Sequence, residues 1–169
     1  MNIDYSLDKS NFNEAIKTFH QQFAKANKFT NGIKTDGEFN RVVICGMGGS
    51  AMPGDLLKAY LKSINIKHVR IDIHRTYGLP HDIDKKTLIF VSSYSGNTEE
   101  VVDSFKTALD AKAKIVAFSR GGKLEEIAEK NLVPYIRYPE DGPEFQPRNA
   151  IGYSFAAMAF VLMNSNIIE

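Results

Sequence analysis

Short β-branched runs alternating with helical stretches predict a three-layer α/β/α sandwich around a five-stranded parallel sheet. Two observations carry this expectation. The first is a set of five apolar runs, Arg41–Cys45, Val69–His74, Thr87–Ser92, Lys114–Phe118 and Val133–Arg137. Each has the length and flanking glycine, proline or polar residues of a buried strand. The second is the spacing between runs, which leaves room for one crossover helix each time, and right-handed crossovers leave few topologies.

The elements follow in order. Leu7–Lys28 places Phe12, Ala15, Ile16, Phe19 and Phe23 at helical spacing, so it reads as one amphipathic opening helix. The stretch from Gly32 to Asn40 is polar and loop-like. After the first strand, Ser50–Ser63 reads as a helix with Pro53 in its first turn, where proline is tolerated. The second strand ends before a turn at Leu79–Pro80. The third is followed by a helix from Thr98 to Lys112, and the fourth by Gly121–Gly122 and a helix Lys123–Lys130. Pro139–Pro147 is a proline- and glycine-rich loop, and Ala150–Met163 an apolar final helix. That helix offers Ile151, Phe155, Ala156, Ala159, Phe160 and Met163 as a face to bury on the sheet or against a second copy. Two units are expected: residues 1–40, a helix and loop packing on the domain, and residues 41–169, the domain itself.

Bulk composition narrows the function classes. The chain has 169 residues, the size of one compact domain, with 43% hydrophobic and 24% charged residues. Net charge is +1, from 21 basic and 20 acidic residues, so no positive field exists to draw in nucleic acid. No apolar run approaches the roughly 18–20 residues of a membrane span, and Met1–Asn11 lacks the apolar core of a signal peptide. Cys45, the one cysteine, lies in an apolar run and reads as a buried structural thiol. A cytoplasmic location is the expectation.

Chemistry concentrates in two loops. Gly46-Met47-Gly48-Gly49-Ser50-Ala51 leaves the first strand and enters a helix. Glycine permits a sharp turn and close backbone approach to a ligand, and a helix start offers unpaired N–H groups and partial positive charge to a phosphate. The segment also fits G-x-G-x-x-A, the loose dinucleotide fingerprint, whose acidic partner would be Asp72. Asp72, however, sits inside the second strand. The second loop, Ser92-Ser93-Tyr94-Ser95-Gly96-Asn97-Thr98, opens the next helix with four aliphatic hydroxyls. Asn97 or Thr98 explains a helix cap, and Glu99–Glu100 a favourable first turn. Ser93 and Ser95 are left over as neutral donors for an anion. A nicotinamide domain has no use for this second loop, so the pair favours a phosphosugar over a dinucleotide.

Arg148 follows the proline-rich loop at the start of the last helix. Residue type leaves it two roles, a surface ion-pair partner or a cation aimed at an anionic intermediate. No P-loop or G-x-S-x-G elbow is present, and His20, His68, His74 and His81 lack metal-ligand spacing. No metal or cofactor is expected.

Gly46-Met47-Gly48-Gly49-Ser50, the Ser93–Thr98 loop and Gln146-Pro147-Arg148 together resemble the bifunctional phosphoglucose/phosphomannose isomerases, which are built from SIS (sugar isomerase) domains. The resemblance runs from about Arg41 to the end and implies a flavodoxin-like SIS fold. It implies an aldose–ketose isomerase interconverting glucose 6-phosphate or mannose 6-phosphate with fructose 6-phosphate. Gly48, Gly49, Ser50, Ser93, Ser95 and Thr98 would hold the substrate phosphate, and Arg148 would stabilise the enediolate. Members carry two SIS domains, with the general base, a ring-opening histidine and a lysine in the second. Only the first has a counterpart here. The chain is therefore expected to bind a hexose 6-phosphate, to pair with a second SIS domain or a second copy, and alone to be inactive or weakly active. The alternatives are a non-catalytic phosphosugar-binding module and, resting on the loose fingerprint, an NAD(P) domain.

Overall fold

A computed structural model describes residues 7–140 and 145–169. Five strands, β1 (Arg41–Cys45), β2 (Arg70–His74), β3 (Thr87–Ser92), β4 (Lys114–Ser119) and β5 (Tyr135–Arg137), form one sheet in the order β2-β1-β3-β4-β5. Every pairing is parallel. Helices α1 (Phe12–Lys17), α2 (Gln21–Phe29), α3 (Met52–Ser63) and α6 (Ile151–Asn164) belong to one side, and α4 (Glu99–Asp110) and α5 (Lys123–Lys130) to the other.

The pleat divides the core. Val42 and Ile44 of β1, with Leu88 and Phe90 of β3, face Leu57, Met158 and Val161. Val43, Cys45, Ile89 and Val91 face the opposite way, onto Val101, Phe105 and Leu124. All six residues of β3 are buried, as a central parallel strand covered on both faces requires. Burial pushes the Cys45 thiol up to about 12, so it is an inert core group.

Several boundaries differ from the sequence reading, most by one or two residues, and the opening helix starts at Phe12, not Leu7. The opening helix is broken at Thr18–His20, where Thr18 donates to Glu14 O through both its hydroxyl, at 2.7 Å, and its N–H, at 2.9 Å. Strand β5 begins two residues late, because Pro134 has no N–H for the ladder; its carbonyl still accepts from Ala117. The last helix is preceded by a 3₁₀ turn, Pro147–Ala150.

The face expected to bury on α6 is also different. Tyr153, Ala157, Met158, Val161 and Leu162 enter the core. Of the expected set only Ala156 is buried; Ile151, Phe155, Ala159 and Phe160 are partly open, and Met163 is exposed. The helix is apolar nearly all round, so periodicity does not choose a side. No helix among the described residues is long and apolar enough to cross a membrane.

Candidate functional site

In a sheet of order 2-1-3-4-5, the strand order reverses between β1 and β3, and the crevice beyond their carboxyl ends is where such sheets bind ligands. The two loops leave the sheet at that point, from Cys45 and from Ser92, one residue beyond Cys45's partner Val91.

The first loop is built by close packing. A Cβ on Gly46 would lie 2.9 Å from Ser50 O and 3.2 Å from Ser92 O, so only glycine lets the two loops approach. Gly48 has a left-handed backbone, and around both Gly48 and Gly49 the space is open. Gly48–Ser50 form a single 3₁₀ turn leading into α3. The Ser50 hydroxyl accepts the Tyr94 N–H at 3.1 Å, tying the first loop to the second and leaving the hydroxyl proton for another acceptor.

The second loop is a chain of hydroxyls. The Ser93 hydroxyl lies 2.8 Å from Thr98 Oγ1 and 3.4 Å from Ser95 Oγ, and it accepts the Gly96 N–H at 3.1 Å. Ser93 itself is 1% exposed, whereas Ser95 is open to solvent. Ser95 Oγ accepts the Asn97 N–H at 3.2 Å. Thr98 takes the N-cap position of α4, but its hydroxyl turns to Ser93 instead of capping the helix. Ser93, Ser95 and Thr98 thus come together at the N-terminus of α4, which carries partial positive charge, and Ser50 joins the same loop through the Tyr94 N–H.

A third loop braces them, and the sequence reading gave it no role. Gly121–Gly122, between β4 and α5, lies directly against the second loop. A Cβ on Gly96 would fall 1.7 Å from Gly121 O, and one on Gly122 would fall 2.7 Å from Ser95 O. Leu124 N donates to Gly96 O at 3.0 Å, Lys123 N to Asn97 Oδ1 at 3.1 Å, and Arg120 N to Tyr94 O at 2.9 Å. The available signal was the Gly-Gly pair directly after a strand, the same signature as the first loop. Beneath, the Tyr94 ring stacks on buried Tyr138, whose phenol burial pushes up to about 12.

Arg148 has different neighbours. It is exposed on the Pro147–Ala150 turn, whose Asn149 and Ala150 are buried, with its guanidinium over the Phe12 ring, 5.8 Å from the centroid. Helix α6, which follows that turn, packs against the Gly48–Ser50 turn of the first loop. Glu140 pairs with Arg120 at 3.4 Å; Asp141 and Glu144 lie outside the described residues. Asp72 is committed to Arg41 at 2.7 Å and Arg70 at 2.8 Å inside the sheet edge. His74 points its ring at Tyr77 O, and His68 at Ile167 O. Among the described residues no His/Cys/Asp/Glu group is arranged to hold a metal ion.

Comparison with known proteins agrees with this geometry. The SIS domain family model matches residues 38–163. A bifunctional phosphoglucose/phosphomannose isomerase of Caldicellulosiruptor bescii is 36% identical over 92% of this chain and 45% of its own length. A D-glucosamine-6-phosphate 4-epimerase of Sulfolobus acidocaldarius is 31% identical over 92% of the chain and 46% of its own length. The chain therefore spans about half the length of these relatives. The sugar isomerase domain of an RpiR transcription factor from Sphaerobacter thermophilus superposes with a TM-score of 0.58 at 15% identity, over 97% of this chain and 93% of that one. A parallel sheet with both loops at its switch point, and a family match that spans them, lead to one conclusion: the chain belongs to the SIS domain family.

Proposed function

We propose that this chain is the sugar-phosphate-binding SIS domain of an aldose–ketose isomerase interconverting glucose 6-phosphate or mannose 6-phosphate with fructose 6-phosphate. The observation that carries the reading is the junction of two loops through Ser50 Oγ and Tyr94 N, which joins Ser50 to the loop that gathers Ser93, Ser95 and Thr98 at one helix start. Phosphate oxygens replace the hydroxyl–hydroxyl bonds of the free loop, and the open space around Gly48 and Gly49 admits the ligand. Recognition by neutral donors suits a dianion that must also leave.

Arg148 is assigned to the developing enediolate, where a guanidinium stabilises negative charge more in the transition state than in the ground state. Residues 1–40 are assigned to an appendage on the domain of residues 41–169. The partner is a second SIS domain, for which a second copy of this chain stands in. The supporting surface is an aromatic strip across α2, α6 and α3: Phe19 meets Phe23 at 6.0 Å, Phe23 meets Phe155 at 5.8 Å, and Phe155 meets Tyr60 at 5.8 Å. Phe19, Phe23 and Tyr60 remain 37%, 37% and 45% exposed, which is apolar area a neighbour would cover.

Calorimetric titration with glucose 6-phosphate, fructose 6-phosphate and NAD tests the binding reading. Binding of the sugar phosphates and not of NAD is expected; the reverse result overturns it. A coupled assay on the same protein tests the division of labour. General acid–base catalysis is typically worth about 10²–10⁴-fold, so little or no turnover is expected from residues among which no base is assigned. Robust turnover by these 169 residues would place the base within them.

A further inference from the structure

The family match begins at residue 38, yet one side chain upstream of it is built into the segment that carries Arg148. Gln22, on α2, is 5% exposed. Its Nε2 donates to Asn149 O at 2.7 Å, and its Oε1 accepts the Tyr153 N–H at 2.9 Å. One amide thus bonds the backbone on both sides of the junction between the Pro147–Ala150 turn and α6, across 127 and 131 residues of sequence. The fit is close. A Cβ on Gly152 would lie 2.6 Å from Gln22 Oε1 and 3.0 Å from the Phe19 ring, so the helix start is shaped to receive this amide.

Arg148 precedes the first anchored carbonyl by one residue, and Phe12, on the neighbouring α1, lies under its guanidinium. The backbone next to the arginine and the arginine's side chain therefore both meet elements outside the family match. A buried glutamine with donor and acceptor both satisfied is a costly group to place merely for packing, since an apolar side chain fills the same volume without a desolvation penalty.

We infer that Gln22 is a positioning residue, fixing the Arg148 turn so that the guanidinium is presented at a set orientation. The opening helices are then a functional part of the site. This rests on the proposed isomerase reading for what Arg148 contacts, but not for the clamp itself.

Gln22→Met, similar in volume but unable to make either bond, tests it in two independent ways. The first is ligand-free: the Arg148 Nε–Hε NMR signal, assigned with Arg148→Lys. In the unmutated chain it is expected to be displaced by the Phe12 ring, and in Gln22→Met to move to the position of solvent-exposed arginines, while the amide signals of Gly48 and Gly96 stay in place. An unchanged Arg148 signal overturns the inference. The second compares inorganic phosphate with arabinonate 5-phosphate, a sugar-acid phosphate whose carboxylate mimics the enediolate. Gln22→Met is expected to lose about tenfold or more in affinity for arabinonate 5-phosphate while binding phosphate as before; equal loss for both, or loss for neither, refutes a positioning role. If the unmutated chain shows no preference for arabinonate 5-phosphate, the role assigned to Arg148 fails, and the NMR signal alone decides the clamp.

Discussion

Gly96→Ala probes the contact on which the hydroxyl cluster depends. Gly96 has φ +73°, a backbone that costs a non-glycine residue roughly 1–2 kcal/mol. The added methyl would also sit 1.7 Å from the Gly121 carbonyl oxygen, a backbone atom that cannot swing aside as a side chain would. Forcing the second and third loops apart strains the bonds from Leu124 N to Gly96 O and from Arg120 N to Tyr94 O. Overpacking of this kind typically costs about 1–3 kcal/mol, so the total is about 2–5 kcal/mol. At about 2–4 °C per kcal/mol for a domain of this size, the melting temperature falls by about 4–20 °C. Gly32→Ala is the control. Gly32 has φ +79° and nothing within 4 Å of a Cβ, so it carries only the backbone cost. Thermal denaturation followed by circular dichroism compares the two, and phosphate titration reads the site. Gly96→Ala should lose more stability than Gly32→Ala and should alone lose phosphate affinity. Equal losses in melting temperature, with phosphate binding kept in both, would refute the view that the third loop sets the geometry of the second.

Ser95→Ala should weaken sugar-phosphate binding about ten- to a hundredfold, the worth of one hydrogen bond to a charged group, with little change in melting temperature because Ser95 is exposed. A large thermal shift with unchanged affinity, measured by calorimetry, would make it a structural residue. Phe155→Glu should abolish any concentration-dependent dimer seen by sedimentation, since it puts a charge between Phe23 and Tyr60. A dimer that survives this change does not use the aromatic strip. Asp8 accepts N–H bonds from Asn13 at 2.7 Å and Phe12 at 2.8 Å, which hold its carboxyl below the ordinary value of 3.8. The folded value is the depressed one, so this contribution to α1 is present above 3.8 and is lost as pH falls through the folded value below it. The Phe12 and Asn13 amide signals should shift in that acid window before those of α4 do; simultaneous change would mean that the domain unfolds as a unit instead.

The sheet was legible because each strand is a β-branched run between breakers, and the switch point because glycine and hydroxyl clusters sit at two strand ends. What escaped has physical reasons. The break of the opening helix at Thr18–His20 falls inside a stretch whose hydrophobic spacing continues across it, so periodicity does not register it. Gly121 and Gly122 look like an ordinary turn until Gly96 is seen packed against them. Gln22 sits among polar residues of an amphipathic helix, where sequence alone predicts a solvated side chain; its burial follows only from the approach of a segment more than 120 residues away. The buried face of α6 escaped because nearly every position on the helix is apolar.

On the proposed function, the electrostatics of the crevice bear on where proton transfer can take place. The crevice is furnished with hydroxyls and backbone N–H groups, which can hold an anion without competing for protons. Enediolate chemistry needs a base that is unprotonated near neutral pH and still strong enough to take a proton from carbon. The buried groups with large shifts beside the sheet, Cys45 and Tyr138, are moved the wrong way: at about 12 both stay protonated and neutral at pH 7. Glu99 and Glu100 open α4, where they complement its dipole and crowd the Tyr77 phenol, pushing it up as well. A carboxylate base placed among them would be repelled by the phosphate it must share the crevice with. On the proposed reaction the base is therefore to be sought outside the groups that line this crevice.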